Sequence, residues 1–308
     1  MTTHFYTHPV FLEHDTGAGH PESPERLRAI DAALKRPEFS SLIRKESPRA
    51  TLDQIHLVHA QKQIDKVAHF IPKEGIIYLD PDTPVSPFSL EAALHAAGAV
   101  CAAVDAVFAG EASNAFCGVR PPGHHATPET SMGFCLFNNV AIAAEHGRQR
   151  HGIRKVAIVD FDVHHGNGTQ AAFEKNLEVL YASTHQYPWY PGSGAATETG
   201  VGNIFNAPLR SGAGSAEFRA AMRERILPAV DKFQPELVLV SAGFDAHRDD
   251  PLASLNLVED DFAWITAELL ALAKRHAQGR LVSTLEGGYE LRALADSVAA
   301  HVGELLKA

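Results

Sequence analysis

The stretch "KVAIVDFD" (residues 155–162) passes from a lysine through four apolar residues to a pair of aspartates that flank a phenylalanine. Its apolar residues are continuous instead of alternating, which is typical of a strand buried on both faces of a parallel sheet. Similar runs occur at residues 177–184, 235–243 and 279–288. The four runs therefore predict neighbouring strands of a parallel sheet.

Helical patterns lie between these runs, at residues 89–110, 138–152, 215–233 and 259–279. Several begin at a Ser, Asn or Asp that can cap a helix, and two end at Gly. The alternation predicts an α/β fold with a central, mostly parallel sheet and helices on both faces. Because no linker, charge block or repeat interrupts the pattern, we expect residues 1–308 to form a single domain.

The composition limits the classes of function. With 308 residues, 45% of them hydrophobic, the chain can bury a large core, and its formal net charge of −10 argues against nonspecific binding to nucleic acid or to an anionic membrane. The three cysteines form no CxxC pair, which argues against a disulfide framework or a thiolate zinc cluster. We see no export signal and no continuous apolar span, so we expect a cytoplasmic protein. Composition alone indicates no oligomeric state.

Three long loops rich in Pro, Gly, Ser and Thr are predicted at residues 79–89, 120–133 and 185–214. In open parallel sheets, ligands bind outside the carboxyl ends of the strands, where such loops gather. The strongest polar clusters of the chain also follow predicted strands. We therefore expect the chemistry at the strand ends.

The segment "VDFDVHHGNGTQ" (residues 159–170) contains the first of these clusters. Asp160, Asp162 and His164 alternate along an extended backbone, so their side chains project to the same side. Asp245 closes the run "LVLVSAGFD", where a carboxylate needs a partner or a metal. Two Asp oxygens and one His nitrogen make a ligand set that leaves positions open for water and substrate. Zinc suits this set best, iron(II) or cobalt also fit it, and a solvated loop is the alternative.

Two further clusters follow predicted strands. His124 and His125 in "RPPGHHAT" are either a surface pair or a general acid and base, since imidazole titrates near working pH. Tyr289 in "LEGGYE" either packs beside a plain Gly-Gly turn or presents a phenol to a ligand. In the second case, the glycines let the backbone approach, and the hydroxyl stabilises an oxyanion.

Taken together, these motifs resemble the zinc-dependent histone deacetylase family, which has the arginase/deacetylase fold. The resemblance rests on "HDTGAGHPESPERL", "RPPGHHA", "GFCLFNNVAIAA", "VDFDVHHGNGTQ", "SAGFDAHRDDPL" and "LEGGY", in this order and spacing. It covers almost the entire chain. It implies that the zinc ligands are Asp162, His164 and Asp245. It also implies that His124 and His125 are the tandem catalytic histidines and that Tyr289 polarises the substrate carbonyl.

The resemblance also implies partners for the two histidines. Asp160 looks like the carboxylate that hydrogen-bonds His124, and Asn167 looks like the residue that pairs with His125. Class I members carry aspartate at the second position, whereas class II members and bacterial relatives carry asparagine, so the chain resembles the class II-like bacterial amidohydrolases. A neutral partner should leave His125 the weaker base. Which histidine acts as the general base stays open at this point.

Three lesser features are implied in the same way. A structural potassium ion would bind the carbonyls of Asp160, Asp162, His164 and Thr184 and the hydroxyl of Ser183. The second histidine of the metal segment, His165, would only pack or hydrogen-bond. The substrate tunnel would be formed by Phe134, Tyr190, Leu252, Gly287 and Gly288, with Arg26 at an internal exit channel.

The resemblance implies hydrolysis of an N-acyl-lysine type amide, so the expected partner is an acylated lysine or a small acylated amine. One alternative is an acetylpolyamine amidohydrolase. Leu252 disfavours it, because such relatives tend to place an acidic residue there. A second alternative is a catalytically inactive scaffold that binds acyl-lysine. It is disfavoured because the three ligand positions, both histidines and the tyrosine are all filled.

Overall fold

A computed structural model describes residues 2–308 and contains two sheets. Their strands are Thr3–Thr7 (β1), Ile43–Glu46 (β2), Ile77–Asp80 (β3), Thr83–Val85 (β4), Asn114–Cys117 (β5), Val156–Asp160 (β6), Val179–Gln186 (β7), Ile204–Leu209 (β8), Leu237–Ala242 (β9) and Leu281–Leu285 (β10). The main sheet has eight strands in the order β2-β1-β5-β10-β9-β6-β7-β8, and every neighbouring pair in it is parallel. Strands β3 and β4 form a separate antiparallel hairpin.

The described residues form ten α-helices around the sheets. They are Pro24–Ala33 (α1), Leu52–Ile55 (α2), Gln61–Phe70 (α3), Ser89–Ala109 (α4), Asn139–His151 (α5), Asn167–Phe173 (α6), Ser215–Ala221 (α7), Leu227–Phe233 (α8), Glu259–His276 (α9) and Leu291–Lys307 (α10). Helices α4 and α5 pack against each other and on the central strands, whereas α1, α9 and α10 pack together in a second group. The predicted α/β architecture is confirmed.

The predicted elements need three corrections. The loop predicted at 79–89 contains β4, and the loop predicted at 185–214 contains β8. Strand β8 escapes a search for apolar runs because Asn206 and Pro208 interrupt it, and its edge position tolerates the missing N–H of a proline. The helix predicted at 215–233 is divided by a π turn at Met222–Ile226. Pro228 explains the division, because proline cannot supply the hydrogen bond of a regular helix.

Helix α4 is long and apolar enough to cross a membrane by length and composition alone, and among the described residues it is the one helix with this property. Most of its side chains are buried against the sheet and α5. A core helix of a globular domain passes the same test, so the observation does not indicate a membrane span.

The sheet order determines where the functional residues meet. Strands β5, β10, β9, β6 and β7 are consecutive neighbours, and all run in the same direction. Their carboxyl ends therefore lie at one edge of the sheet, and the five segments that follow them converge there. These segments carry all of the polar clusters singled out from the sequence.

Candidate metal centre and active site

Asp162, His164 and Asp245 form a compact buried group. The Nδ1 atom of His164 lies 3.1 Å from Asp162 Oδ1 and 3.2 Å from Asp245 Oδ2, and the three candidate ligand atoms lie within 4.8 Å of one another. Within residues 2–308, Asp245 Oδ2 has no hydrogen bond of acceptable geometry. A buried carboxylate oxygen without a partner is costly. This oxygen without a partner, the neighbouring His164 nitrogen and the neighbouring carboxylate oxygen together provide ligands that suit a divalent ion.

Backbone amides hold the other oxygens of the two carboxylates. Asp162 Oδ2 accepts a hydrogen bond from the Gly287 N–H at 2.7 Å, and Asp245 Oδ1 accepts one from the Val163 N–H at 2.9 Å. Burial and the nearby charge of Asp162 raise the pKa of Asp245 to about 7. Because burial and the charge of Asp162 disfavour the ionised form of Asp245, a cation held between the two carboxylates would stabilise it.

Glycines surround this group because no side chain would fit. A Cβ atom on Gly287 would lie 2.0 Å from Asp245 Oδ2, and one on Gly243 would lie 2.1 Å from Asp162 Oδ2. On Gly133, whose φ is +57°, it would lie 2.4 Å from the ring of His125. Backbone from three different loops therefore packs directly against the functional side chains.

The tandem histidines have different partners. His124 Nδ1 lies 3.0 Å from Asp160 Oδ2, which also accepts the Tyr181 hydroxyl at 3.0 Å. His125 Nδ1 lies 2.8 Å from Asn167 Oδ1. An amide oxygen can only accept, so Nδ1 of His125 carries the proton and its Nε2 is left as an acceptor. The structure thus brings Asp160 and Asn167 to the histidines to which the resemblance assigned them.

These environments move the two pKa values apart. Burial lowers the pKa of His124, but the charges of Asp162 and Asp160 outweigh it and raise the pKa to about 10. Burial lowers the pKa of His125 well below its usual value, and the positive charges of His124 and His164 lower it further. This arrangement favours the charged form of His124 and the neutral form of His125.

A cavity of about 400 Å³ opens above the group. It is lined by Asp82, Pro122, His124, His125, Gly133, Phe134, His164, Trp189, Tyr190, Leu252, Gly287 and Tyr289. Of the predicted tunnel residues, Gly288 is the exception: it lies behind the wall, where its carbonyl accepts a hydrogen bond from Arg26 Nε at 2.6 Å. The rings of Phe134 and Tyr289 meet edge to face with centroids 5.9 Å apart. Phe134 has an unusual φ of +67° in the tight turn after Gly133, and it lines the cavity.

The sequence profile of the histone deacetylase domain matches residues 20–305. The chain belongs to the histone deacetylase family. The chain is 41% identical over 294 residues to the histone deacetylase-like amidohydrolase of Pseudomonas aeruginosa, covering 93% of this chain and 77% of the relative. It is 38% identical over 298 residues to a probable deacetylase of Archaeoglobus fulgidus, covering 94% and 82% of the two chains.

A solved structure, the crystal structure of the HDA15 HD domain, superimposes with a TM-score of 0.93 at 37% identity. The match covers 99% of this chain and 90% of the other. The expected arginase/deacetylase fold is therefore confirmed for this chain.

The remaining predicted site residues lie near the candidate metal ligands. In the pairing of β6 with β7, Asp160 is opposite Ser183, whose hydroxyl lies 2.8 Å from His185 Nδ1, and Thr184 follows it. His165 contacts Ser193 Oγ at 2.8 Å and Gln170 Oε1 at 3.0 Å, away from the candidate ligands. The potassium role of the β6 and β7 residues stays a prediction.

Arg26 is fully buried. Its guanidinium donates to the carbonyl of Glu286 at 2.5 Å, pairs with Glu22 at 3.1 Å and lies 4.9 Å from the centre of the Tyr289 ring. The side chain therefore holds the loop after β10 in place. Its predicted role at an exit channel is not tested by these contacts.

Sequence reasoning missed Glu286, which is fully buried. Its Oε2 accepts hydrogen bonds from the N–H groups of Gly123 at 2.7 Å and His124 at 3.1 Å, and its Oε1 accepts one from the Ser241 hydroxyl at 3.1 Å. Burial raises its pKa to about 7. A glutamate directly after a buried strand was the available signal, since such a group requires partners. Glu286 anchors the loop of the tandem histidines.

Variants of Glu286 should separate this anchoring from its charge. Glu286→Ala should lower kcat by about 100-fold, because two backbone N–H groups lose their acceptor and the histidine loop shifts. Glu286→Gln keeps an acceptor of the same shape and should cost about tenfold or less. Steady-state kinetics with thermal unfolding as the folding check would measure both. Ser241→Ala, which removes one hydroxyl contact, is the control, and equal losses in the Gln and Ala variants would contradict the anchoring role.

Proposed function

We propose that the chain is a zinc-dependent amidohydrolase that removes the acyl group from N-acyl-lysine type substrates. The observation that carries the proposal is the buried group of Asp162, His164 and Asp245, with its orphaned oxygen, at the base of a cavity partly walled by aromatic rings. One nitrogen and two oxygen donors with open positions suit catalytic zinc, and iron(II) or cobalt take the same donors. An ion held there supplies Lewis acidity to the substrate carbonyl and makes water more acidic.

The side chains of the protein carry out the proton transfers. His125 is neutral, and Asn167 fixes its Nδ1 proton, so Nε2 is free to take a proton from the attacking water. His124, charged and held by Asp160, stabilises the negative charge that develops beside it. As the C–N bond breaks, His125 returns its proton to the leaving amine, and the acyl group leaves as a carboxylate.

The cavity walls match an aliphatic stem that ends in an amide. Phe134, Trp189 and Tyr190 line the passage, and the Tyr190 ring meets that of His125 at 5.1 Å. Aromatic faces bury methylene groups without requiring a charge. Tyr289 belongs to the same lining, and its hydroxyl would donate to the carbonyl oxygen as it becomes an oxyanion.

A second candidate function is hydrolysis of acetylated polyamines. Leu252 offers no negative charge to the ammonium group at the far end of a polyamine. Asp82 also lines the cavity, however, and provides a carboxylate at its wall. That carboxylate already accepts hydrogen bonds from the Gly133 N–H at 3.1 Å and the Thr83 hydroxyl at 2.7 Å. We therefore favour the acyl-lysine substrate.

A substrate panel on zinc-loaded protein tests this choice. We expect kcat/KM for an acetyl-lysine peptide to exceed that for acetylputrescine and acetylspermidine by at least about tenfold, which corresponds to about 1.4 kcal/mol of transition-state binding. The assay should follow release of the free amine. A preference for the polyamines would overturn the acyl-lysine assignment, and hydrolysis of none of the three would favour the inactive scaffold.

We also propose a structural potassium ion at the ends of β6 and β7, held by the carbonyls of Asp160, Asp162, His164 and Thr184 and by the Ser183 hydroxyl. Support comes from the family resemblance and from the adjacency of Asp160 and Ser183 in the sheet.

A further inference from the structure

A second group of possible metal ligands lies on helices α4 and α5, outside the active site. Asp105 belongs to α4, and His146 and His151 belong to α5. Asp105 Oδ1 lies 2.8 Å from His146 Nε2 and 2.7 Å from His151 Nε2, and the three candidate ligand atoms lie within 4.8 Å of one another. Two imidazoles from successive turns of one helix thus converge on a single carboxylate of its neighbour.

Neighbouring side chains fix the orientation of both rings. The ring of His151 stacks on Phe108 with centroids 4.4 Å apart and planes 11° apart. His146 is nearly buried, and its Nδ1 faces the amide of Gln54 at 3.4 Å. Preoriented ligands lose little conformational entropy when they bind.

We propose that Asp105, His146 and His151 bind a second divalent transition-metal ion of the zinc type. Two imidazole nitrogens and one carboxylate oxygen suit zinc, nickel or cobalt and are poor ligands for magnesium or calcium. A tetrahedral site with bonds of about 2.0–2.1 Å has ligand atoms about 3.3 Å apart, so Asp105 Oδ1 would move about half an ångström further from each imidazole nitrogen. The Asp105 side chain is 46% exposed, which leaves access for the ion and for water.

The position of this site indicates a structural role. Helix α5 spans 13 residues, or roughly 20 Å. Its N-terminal end supports the active-site loops, since Asn138 Nδ2 donates to the Ala126 carbonyl and Asn139 Nδ2 to the Pro121 carbonyl. The proposed ion is at the opposite end and joins α5 to α4. Binding should therefore raise thermal stability without changing turnover.

Metal stoichiometry tests the proposal on the full chain. The protein is stripped with a chelator, equilibrated with excess zinc and freed of unbound metal, and its zinc content is then measured by elemental analysis. We expect two zinc ions per chain in the wild type, and one in both His151→Ala and Asp105→Asn. His151 is the last residue of its helix, so its replacement should leave the fold intact.

The chain offers a matched control. Asp231 Oδ1 lies 2.8 Å from His276 Nε2, and its other partner is Arg275 instead of a second histidine. His276→Ala should therefore keep two ions. In an Asp245→Asn background, which disables the catalytic group, zinc should still raise the melting temperature by several degrees, and adding His151→Ala should remove that rise.

The outcomes separate the two metal sites. A wild type with two ions that loses one in His151→Ala supports the second site. The wild type could instead hold one ion, which is lost in His151→Ala but kept in Asp245→Asn. That result supports the second site and overturns the catalytic one. A zinc content that is unchanged by both His151→Ala and Asp105→Asn overturns the second site.

Discussion

Replacing Asp245 with asparagine should reduce deacetylation to background and lower zinc affinity by more than about 100-fold, which exceeds the usual cost of losing an outer-shell partner. Oδ1 of Asp245 is occupied by the Val163 N–H, whereas Oδ2 faces His164 without a hydrogen bond. An amide nitrogen in place of Oδ2 cannot coordinate a cation. Zinc content after dialysis against a weak chelator, together with kcat, measures the effect.

Asp249→Asn is the matched control for this substitution. Asp249 lies four residues further along the same loop, and its side chain is 61% exposed. It should retain both metal and activity. If the Asp245 variant kept its metal and its turnover, the ligand assignment would be wrong, whatever the outcome for the second site on α4 and α5.

Replacing Tyr289 with phenylalanine should lower kcat by about 100- to 1,000-fold, or roughly 2.7–4 kcal/mol of transition-state stabilisation, because the oxyanion loses a hydrogen-bond donor. The ring keeps its contacts with Phe134 and Arg26, and none of the candidate ligands changes. Metal content and melting temperature should therefore equal those of the wild type. Single-turnover kinetics would show the loss in the chemical step.

Tyr78→Phe makes the same chemical change outside the site, since Tyr78 lies on β3 and is 57% exposed. It should leave turnover unaltered. Near-normal activity of the Tyr289 variant would remove the phenol from the mechanism and would direct attention to His124 as the main stabiliser of the oxyanion.

The strands at the centre of the fold were predictable because burial on both faces leaves a continuous apolar signal. Strands β6, β9 and β10 carry it. Strand β2, "IRKE", is largely exposed at the edge of the sheet, so its residues resemble those of a loop. Whether a polar segment such as β2 forms a strand depends on its position in the sheet, and that position depends on the rest of the chain.

The residues of the candidate active site also differ in whether local sequence could predict them. Alternation along one strand end indicated Asp160, Asp162 and His164, since these residues share a local geometry. Glu286 was missed because its importance rests on hydrogen bonds to residues more than 160 positions away in the chain. The group of Asp105, His146 and His151 was missed because it exists only through the packing of α4 on α5.

The glycines around the candidate metal ligands limit how a protein with this site can change over generations. Gly133, Gly243 and Gly287 leave no room for a side chain against the candidate functional side chains. Almost no other residue can therefore replace these glycines without disturbing the site. The outer wall, in contrast, comes from exposed loop residues such as Trp189 and Tyr190. New substrate preferences can therefore arise by drift at the cavity mouth while the hydrolytic machinery is inherited unchanged.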